Sequence, residues 1–386
     1  MSEYHPTDYD AMFADPVRSA AYQRAIADVV GPDDVVVEIG TGVGYFAVAA
    51  CRAGARAVYA IDIDPSVLLA ERLVRENDCD RRVTCIHGDA NRITLPERGT
   101  VMISDLRGVL PFRADAIRTI ASARSRLLVP GARLIPATDT IWAAPCAAPS
   151  GWAQLMAADG TASAGIRRAS LADHARSVVH RVQMDVAALC GEPARVATVD
   201  YSSIMSPNVD ADIALTITRD AEVEGLVLWF DAQLAPGVSF TTSPAAPRTM
   251  YGHAFVPFER ATPASVGDLL RCRLRFRTVD ARTVLAWDTT LHPTGSAVPT
   301  VTMRQSTLNS LLVSPAELRR RTASYRPDPA LFESIRELLS LMDGERSLGE
   351  VAAELVRRHP EHFDDEVDAL AWVTRRSGTL DDLAAW

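Results

Sequence analysis

Residues 34–64, DVVVEIGTGVGYFAVAACRAGARAVYAIDID, decide the fold of this chain. The apolar run Val35–Val37 predicts a buried parallel strand, and a glycine-rich turn leads from it into a helix that begins at Tyr45. Ala57–Ile61 predicts a second buried strand, which ends at Asp62. Strand, glycine turn, helix, strand and acid together form one βαβ unit of the kind that binds the adenosine half of a cofactor.

An acid in front of the glycines favours S-adenosylmethionine (SAM) over a dinucleotide. Residues 38–44 read Glu-Ile-Gly-Thr-Gly-Val-Gly, whereas a dinucleotide pyrophosphate is bound by Gly-x-Gly-x-x-Gly at a helix N-terminus. Glycines let the backbone approach the cofactor, Glu38 faces its cationic methionine end, and Asp62 accepts hydrogen bonds from both ribose hydroxyls. The expected binding residues from this unit are Glu38, Gly40, Thr41, Gly42, Gly44, Asp62 and Ile63, and the expected product is S-adenosylhomocysteine.

The rest of the first domain continues the α/β pattern. A third strand over Val83–His87 is followed by Asp89-Ala90-Asn91, where Asp89 or Asn91 is expected to bind the adenine amine beside Ala90. A fourth strand, Val101–Ser104, leads into a loop over residues 105–112, where the catalytic groups of this fold would lie. The pattern predicts a doubly wound, Rossmann-like SAM-binding domain over residues 1–136.

Composition limits the class of protein. The chain has 386 residues, a net charge of −9 and six cysteines without a C-x-x-C spacing. The negative charge argues against nucleic-acid binding, and no apolar run approaches the roughly 18 residues of a membrane span. The N-terminus MSEYHPTDYD is unlike a signal peptide. We therefore expect a cytoplasmic protein with reduced thiols, no metal site and no membrane partner.

The residue pattern changes from Thr138 onward, where short stretches rich in β-forming residues recur between turns. They predict an antiparallel β-barrel substrate domain over residues 137–295; the stretches are Thr140–Ala144, Ala194–Ser202, Ile213–Thr218, Leu226–Gln233, Thr249–Phe258, Leu269–Thr278 and Thr283–Leu291. Residues 151–187 are helical in character and form an excursion from the barrel suited to contacting a partner subunit.

Residues 311–386 show a third residue pattern. Their apolar residues have helical periodicity over Pro315–Arg321, Pro329–Leu341, Leu348–Arg358 and Phe363–Arg375. The pattern predicts a small C-terminal helical, winged-helix-like domain. Residues 338–355 resemble the helical part of peptide-chaperone domains, which bind leader peptides of ribosomally made natural products. The alternative is an appendage that serves packing or dimerisation.

Three stretches resemble the protein arginine methyltransferase family of SAM enzymes. In MFADPVRSAAY (residues 12–22), Met12, Asp15, Arg18 and Tyr22 match positions of the family's first helix, and residues 38–44 match its SAM loop. FTTSPAAPRTMY (residues 240–251) resembles the barrel motif in which a Ser-Pro-x-x-Pro turn precedes a Thr-His-Trp loop. The resemblance implies that Arg18 pairs with the SAM carboxylate and that residues 151–187 are the arm of a homodimer.

The departures from this family lie on the acceptor side. Family members hold a guanidinium between two glutamates on the loop after the fourth strand. Here the first position is Asp105, the second falls near Ala114 or Asp115, and Arg107 between them would repel a guanidinium. Thr249 is retained, whereas Met250 and Tyr251 replace the His and Trp of the barrel loop.

Methyl transfer to an amine requires a positioned, neutral lone pair, and a carboxylate can orient the amine and take its proton. We expect Asp105 to do this, helped by Asp115, with Thr249 near the site and with Tyr251 or His253 lining the acceptor pocket. Asp105 would also border the cofactor.

The sequence thus predicts a SAM-dependent N-methyltransferase acting on an amine or guanidine nitrogen of a peptide or small metabolite. Three alternatives stay open: arginine methylation with Asp105 and Asp115 as a rearranged acidic pair, O-methylation of an acidic acceptor next to Arg107, and a catalytically silent SAM- or peptide-binding subunit.

Overall fold

The structure is a computed structural model, and it describes residues 6–112, 115–156, 169–279, 282–310, 329–343, 345–360, 362–363 and 365–383. The chain divides into two compact units, Met1–Leu311 and Leu312–Trp386.

The first unit begins with a parallel five-stranded sheet of order β3-β2-β1-β4-β5. Its strands are β1 Val35–Ile39, β2 Ala57–Asp62, β3 Val83–His87, β4 Gly99–Ser104 and β5 Leu128–Ile135. The helices around it are α1 Pro6–Ala14, α2 Pro16–Val29, α3 Tyr45–Arg52, α4 Val67–Glu76 and α5 Ala116–Arg126. The strand order reverses between β1 and β4, so the carboxyl ends of these two strands flank the place where such folds bind ligands.

The predicted βαβ unit is confirmed. All five residues of β1 are buried, as expected for a central strand covered by helices on both faces. In the register of the sheet Glu38 stands opposite Ala60 of β2 and Ile103 of β4. The strand therefore delivers Glu38 and the glycine turn to the ligand-binding edge.

Antiparallel sheets follow, also as predicted. One has the order β7-β12-β10-β6-β8, with β11 paired to β10, and the other has the order β15-β14-β13-β9. Their strands are β6 Thr138–Cys146, β7 His180–Val182, β8 Ala194–Asp200, β9 Val209–Thr216, β10 Ala221–Ala235, β11 Val238–Thr241, β12 His253–Ala264, β13 Leu269–Val279, β14 Arg282–His292 and β15 Val301–Ser306. The parallel and antiparallel parts share one core, in which Val37 and Met102 belong to the same buried cluster as Leu228 and Trp287.

The excursion at residues 151–187 is helical only in part. It contains α6 Trp152–Met156 and α7 Ala169–Ala175, while residues 157–168 lie outside the described residues. Near its end is the edge strand β7, which pairs with β12 through Val182 and His253. The open edge of β12 thus overrides the helical composition of this stretch. Residues 249–252, expected to start a strand, form a turn before β12.

The described residues of the second unit form helices and no strand: α8 Pro329–Leu341, α9 Leu348–Arg358 and α10 Glu366–Leu383. Ser347 begins α9 with a capping box, in which its hydroxyl and the Glu350 carboxylate each bond to a backbone N–H of the other residue. Leu338, Leu355 and Val373 form part of its small apolar core. The predicted helix over 315–321 lies outside the described residues, and the winged-helix resemblance remains a prediction.

One expectation about the cysteines is wrong. Cys51 at the end of α3 and Cys79 after α4 are paired as a disulfide, with Cα atoms 6.2 Å apart; the other four are free thiols. The spacing of 28 residues gave no signal because the pairing depends on how two helices pack. Within the described residues, no helix is both long and apolar enough to cross a membrane.

Candidate active site

A cavity of about 730 Å³ opens at the carboxyl ends of β1, β2 and β4. The glycine turn, the loop after β4 and the turn at 250–251 line it together. All residues predicted to bind the cofactor line this cavity except Gly44; they are Arg18, Glu38, Gly40, Thr41, Gly42, Asp62, Ile63, Asp89, Ala90 and Asp105. Of the predicted catalytic residues, Asp105, Asp115 and Tyr251 line it.

The glycine turn requires residues without a side chain. Gly40, Gly42 and Gly44 have φ values of 75°, 54° and 87°, a region that side chains disfavour. A Cβ on Gly42 would lie 2.7 Å from the ring of Tyr9, and one on Gly44 would lie 2.9 Å from the Cβ of Ala70. Gly44 therefore starts α3 and packs it on α4, whereas Gly40 and Gly42 present backbone to the cavity.

Two acidic side chains at this edge, Glu38 and Asp62, accept hydrogen bonds from uncharged donors. Glu38 is 2% exposed and accepts a 2.7 Å hydrogen bond from Thr41 Oγ1. Burial raises the pKa of Glu38 to about 8, an effect that the charge of Arg18 only partly offsets. Asp62 accepts backbone N–H bonds from Gly42 at 2.7 Å and Asp64 at 2.8 Å, and burial raises its pKa as well.

These residues fit SAM. A buried acid whose pKa burial has raised gains from an added cation, which the methionine end of SAM carries. Each Asp62 oxygen accepts one backbone N–H, so each retains acceptor capacity for a ribose hydroxyl. Asp89 and Asn91 both line the cavity, and Asp89 Oδ1 accepts the backbone N–H of Asn91 at 2.8 Å. Either side chain stays a candidate for the adenine amine.

Arg18 and Asp105 are paired on the opposite wall. Arg18 Nε and Nη2 lie 2.7 and 2.6 Å from Asp105 Oδ2, and both side chains are buried. The Tyr251 hydroxyl donates to the same oxygen at 2.6 Å and accepts from Arg18 Nε at 3.1 Å. Although burial opposes ionisation, Arg18 and Arg107 hold the pKa of Asp105 below its usual range. Asp105 is therefore a carboxylate that the chain itself has neutralised.

The turn at 249–252 is tied to the start of α2. Asp15 caps that helix by accepting from the N–H groups of Val17 and Arg18, both at 3.0 Å. Its other oxygen accepts the backbone N–H of Met250 at 2.7 Å. Asp15 is thus bound by the backbone N–H of Met250, the residue that stands where the protein arginine methyltransferases have histidine. Met250 and Tyr251 are thereby fixed over the cavity.

Of the remaining predicted site residues, Asp115 lines the cavity, whereas Thr249 and His253 do not. Thr249 is buried and its carbonyl accepts a hydrogen bond from Gln183 Nε2, but it does not line the cavity. His253 is also off the cavity lining and accepts the N–H of Met184. Asp115 borders the cavity with a side chain 41% exposed, 3.5 Å from Arg118. The neighbouring position Ala114 lies outside the described residues.

The sequence identified Arg107 but missed its surroundings. Its guanidinium bonds to Asp105, to Asp139 on β6 and to the hydroxyl of Tyr22 on α2. Asp139 is fully buried and also accepts from the Tyr201 hydroxyl at 2.7 Å. Asp139 stands in the largely apolar strand β6, and a buried acid needs a hydrogen-bonding or charged partner. This position was the one feature of the sequence that could have predicted a partner such as Arg107.

Comparisons with known proteins agree with this geometry. The TRM5/TYW2 methyltransferase domain family matches residues 9–120. Protein arginine N-methyltransferase 1 of Chlamydomonas reinhardtii is 28% identical over 283 residues, which cover 69% of this chain and 79% of that protein. The chain is a SAM-dependent methyltransferase similar to the protein arginine methyltransferases (PRMTs).

Solved PRMT structures show the same fold. The Trypanosoma brucei PRMT1 enzyme–prozyme heterotetrameric complex with AdoHcy matches with a TM-score of 0.70 and 19% identity, covering 78% of this chain and 98% of that one. Arabidopsis thaliana protein arginine methyltransferase 10 matches with a TM-score of 0.68 and 21% identity over the same shares. SAM is accordingly the cofactor of this PRMT-like enzyme.

Proposed function

We propose that this PRMT-like chain transfers a methyl group from SAM to an amine or guanidine nitrogen of a peptide or small metabolite. The observation that carries the proposal is one continuous cavity, which holds Glu38 and Asp62 at the glycine turn and Asp115 and Tyr251 near the loop after β4. Cofactor and acceptor would therefore meet within one cavity.

The residues of the cavity divide the work. Bound there, SAM would supply a methyl group on a sulfonium that already carries a good leaving group. Glu38 would face the ammonium end, Asp62 would hold the ribose, and Arg18 would hold the carboxylate. An acceptor nitrogen that arrives protonated must lose a proton before its lone pair can form the bond to the methyl carbon, and the C–S bond of the sulfonium would break as that bond forms. We propose that Asp115, which lines the cavity with a side chain 41% exposed, orients such a nitrogen and takes that proton.

A peptide acceptor would give the second unit a role. Residues 312–386 form a separate compact unit with exposed apolar side chains at Leu339 and Val367. We propose that this unit recruits a peptide, such as the precursor of a ribosomal natural product, to the cavity of the first unit.

The test is mass spectrometry of the SAM reaction against free arginine and small amines on one side and peptides on the other. Methylation of peptides that is lost on deleting residues 314–386 would support recruitment by the second unit. Methylation of small amines that is indifferent to the deletion would refute recruitment and leave the methyltransferase proposal standing.

We also propose a homodimer through the arm at 151–187. Leu171 on α7 is 49% exposed, which suits an interface side chain. Light scattering of the full chain checks this proposal, and a monomeric mass would refute it.

A silent SAM- or peptide-binding subunit is the second candidate, because Asp105 is already occupied by Arg18, Arg107 and Tyr251. The Trypanosoma brucei relative is an enzyme–prozyme complex. Tight binding of SAM without product from any acceptor, amine or guanidine, would favour this alternative.

A further inference from the structure

Arg107 occupies a guanidinium-binding clamp made by its own chain. Its Nε lies 3.0 Å from Asp105 Oδ1, and its Nη1 lies 3.0 Å from Asp139 Oδ1. Nη2 bonds to the hydroxyl of Tyr22. A planar cation held between two carboxylates is the arrangement that binds a guanidinium well.

Aromatic rings complete the clamp. The Cζ atom of Arg107 lies 5.2 Å from the ring centroid of Phe230, 5.4 Å from Phe240, 5.5 Å from Tyr251 and 5.6 Å from Tyr22. All four distances are within the roughly 6 Å over which a ring face attracts a cation. The surroundings of Arg107 therefore select a delocalised, planar cation.

Asp105 is already bound by two guanidinium groups and a hydroxyl. Its oxygens meet Arg18 Nε at 2.7 Å, Arg18 Nη2 at 2.6 Å, the Tyr251 hydroxyl at 2.6 Å and Arg107 Nε at 3.0 Å. Three of these donors share Oδ2, and Arg107 Nε takes Oδ1. An acceptor guanidinium could therefore bind both Asp105 oxygens side by side only by displacing Arg107 and a donor on Oδ2.

Charge leads to the same conclusion. The buried cluster contains two arginines, Arg18 and Arg107, and two aspartates, Asp105 and Asp139. Burial raises the pKa of Asp139, and the positive charge of Arg107 together with the Tyr201 hydroxyl counters that shift. A third guanidinium would enter a buried cluster whose anions are already matched, at the cost of an unpaired charge.

We propose that Arg107 is a specificity-determining residue: as the chain's own guanidinium it fills the Asp105–Asp139 clamp and excludes an acceptor guanidinium. The acceptor class is then an amine that enters the cavity uncharged or loses its proton to Asp115. This inference narrows the proposed function and rests on it.

Binding of methylguanidinium to the full-length chain loaded with S-adenosylhomocysteine tests the clamp without requiring turnover. Arg107→Ala should bind methylguanidinium at least about tenfold more tightly than the wild type, because two carboxylates and four rings then face a vacated site. Methylammonium should show a smaller gain. Arg124→Ala is the matched control, because Arg124 joins α5 to the carbonyls of Tyr201 and Ile204 and does not line the cavity.

Arg107→Ala leaves Asp139 buried beside Tyr201, and this variant risks misfolding. Arg107→Ala with Asp139→Asn removes one charge of each sign and keeps an acceptor for the Tyr201 hydroxyl. The double variant should retain cofactor affinity and still gain methylguanidinium binding over the wild type. Equal binding by the wild type and both variants would overturn the inference, as would arginine turnover by the wild type at the rate of an equivalent amine. Absence of any methyl product, with the binding gain present, would instead count against the proposed function.

Discussion

Two buried acidic side chains face the same cavity, and their pKa values are shifted in opposite directions. Glu38, at the end of β1, has a pKa raised to about 8 because burial outweighs the nearby charges. Asp105, at the end of β4, is buried as well, yet Arg18 and Arg107 hold its pKa below the usual range. A cationic ligand would therefore stabilise the ionised form of Glu38 at the cofactor edge, whereas Asp105 on the acceptor wall is already ionised beside two arginines of the chain.

This contrast separates the part of the site that resembles the PRMTs in sequence from the part that departs from them. The edge that resembles the PRMTs in sequence keeps open acids and bare backbone for SAM. In the loop after β4, where the chain departs from the PRMTs, Asp105 and Arg107 belong to an internal ion-pair cluster with Asp139. We therefore expect that cofactor binding and the choice of acceptor depend on different residues and can be perturbed separately.

The largest expected effect follows from removing Arg107 alone. Arg107→Met should lower the free energy of unfolding by about 3–5 kcal/mol, because it leaves the buried Asp139 without its cation. Adding Asp139→Asn should recover most of that loss. Denaturant unfolding of both variants measures the effect, and equal stability of the single variant and the wild type would show that the cluster is not held by this pair.

Asp62 tests the cofactor edge. Asp62→Ala should weaken binding of S-adenosylhomocysteine at least about 100-fold, since two charge-assisted hydrogen bonds to ribose of roughly 1.5–3 kcal/mol each are lost. The substitution also frees the backbone N–H groups of Gly42 and Asp64 that Asp62 now accepts. Titration calorimetry gives the affinity; a change under threefold would mean that Asp62 does not meet the ribose.

Asp15 tests the tie between α2 and the barrel turn. Asp15→Ala should cost about 1–2 kcal/mol of stability through loss of the helix cap. Asp15→Asn keeps a capping oxygen and should cost less. If the bond to Met250 N also positions Tyr251, turnover should fall further than stability explains. Thermal unfolding and initial rates of the two variants separate the contributions.

Glu38 gives the most diagnostic effect, a dependence of stability on pH. Between its ordinary pKa of 4.5 and the folded value of about 8, the folded cofactor-free protein holds a proton that the unfolded chain has released. The contribution of Glu38 to the free energy of unfolding therefore decreases as pH rises through this window. Glu38→Gln should remove that part of the slope, which unfolding at several pH values would show; an unchanged slope would contradict the raised pKa.

The sequence predicted the elements whose determinants are local. Val35–Ile39, the glycine turn and Asp62 lie within one βαβ unit, and their spacing alone places them at one edge. The Arg107 clamp could not be predicted in this way, because Asp139 is 32 residues away and Tyr22 is 85 residues away along the chain. Only the packing of the parallel sheet on the antiparallel one brings these side chains together.

The same reason explains the other misses. The edge strand β7 forms because β12 offers unpaired backbone groups, and the Cys51–Cys79 pair depends on the packing of two helices. Asp105 was identified from its position after β4, but its neutralisation by Arg18, Arg107 and Tyr251 required side chains from three parts of the chain.

The most direct measurement is mass-spectrometric mapping of a trideuteromethyl label from SAM. The full-length wild type would be offered an equimolar mixture of short peptides that differ only in carrying arginine, ornithine or lysine at one position. Our account predicts label on an amine nitrogen and none on the arginine guanidine. Label on the guanidine, at a rate equal to or above that of the amines, would contradict the central claim that Arg107 closes this site to guanidinium acceptors.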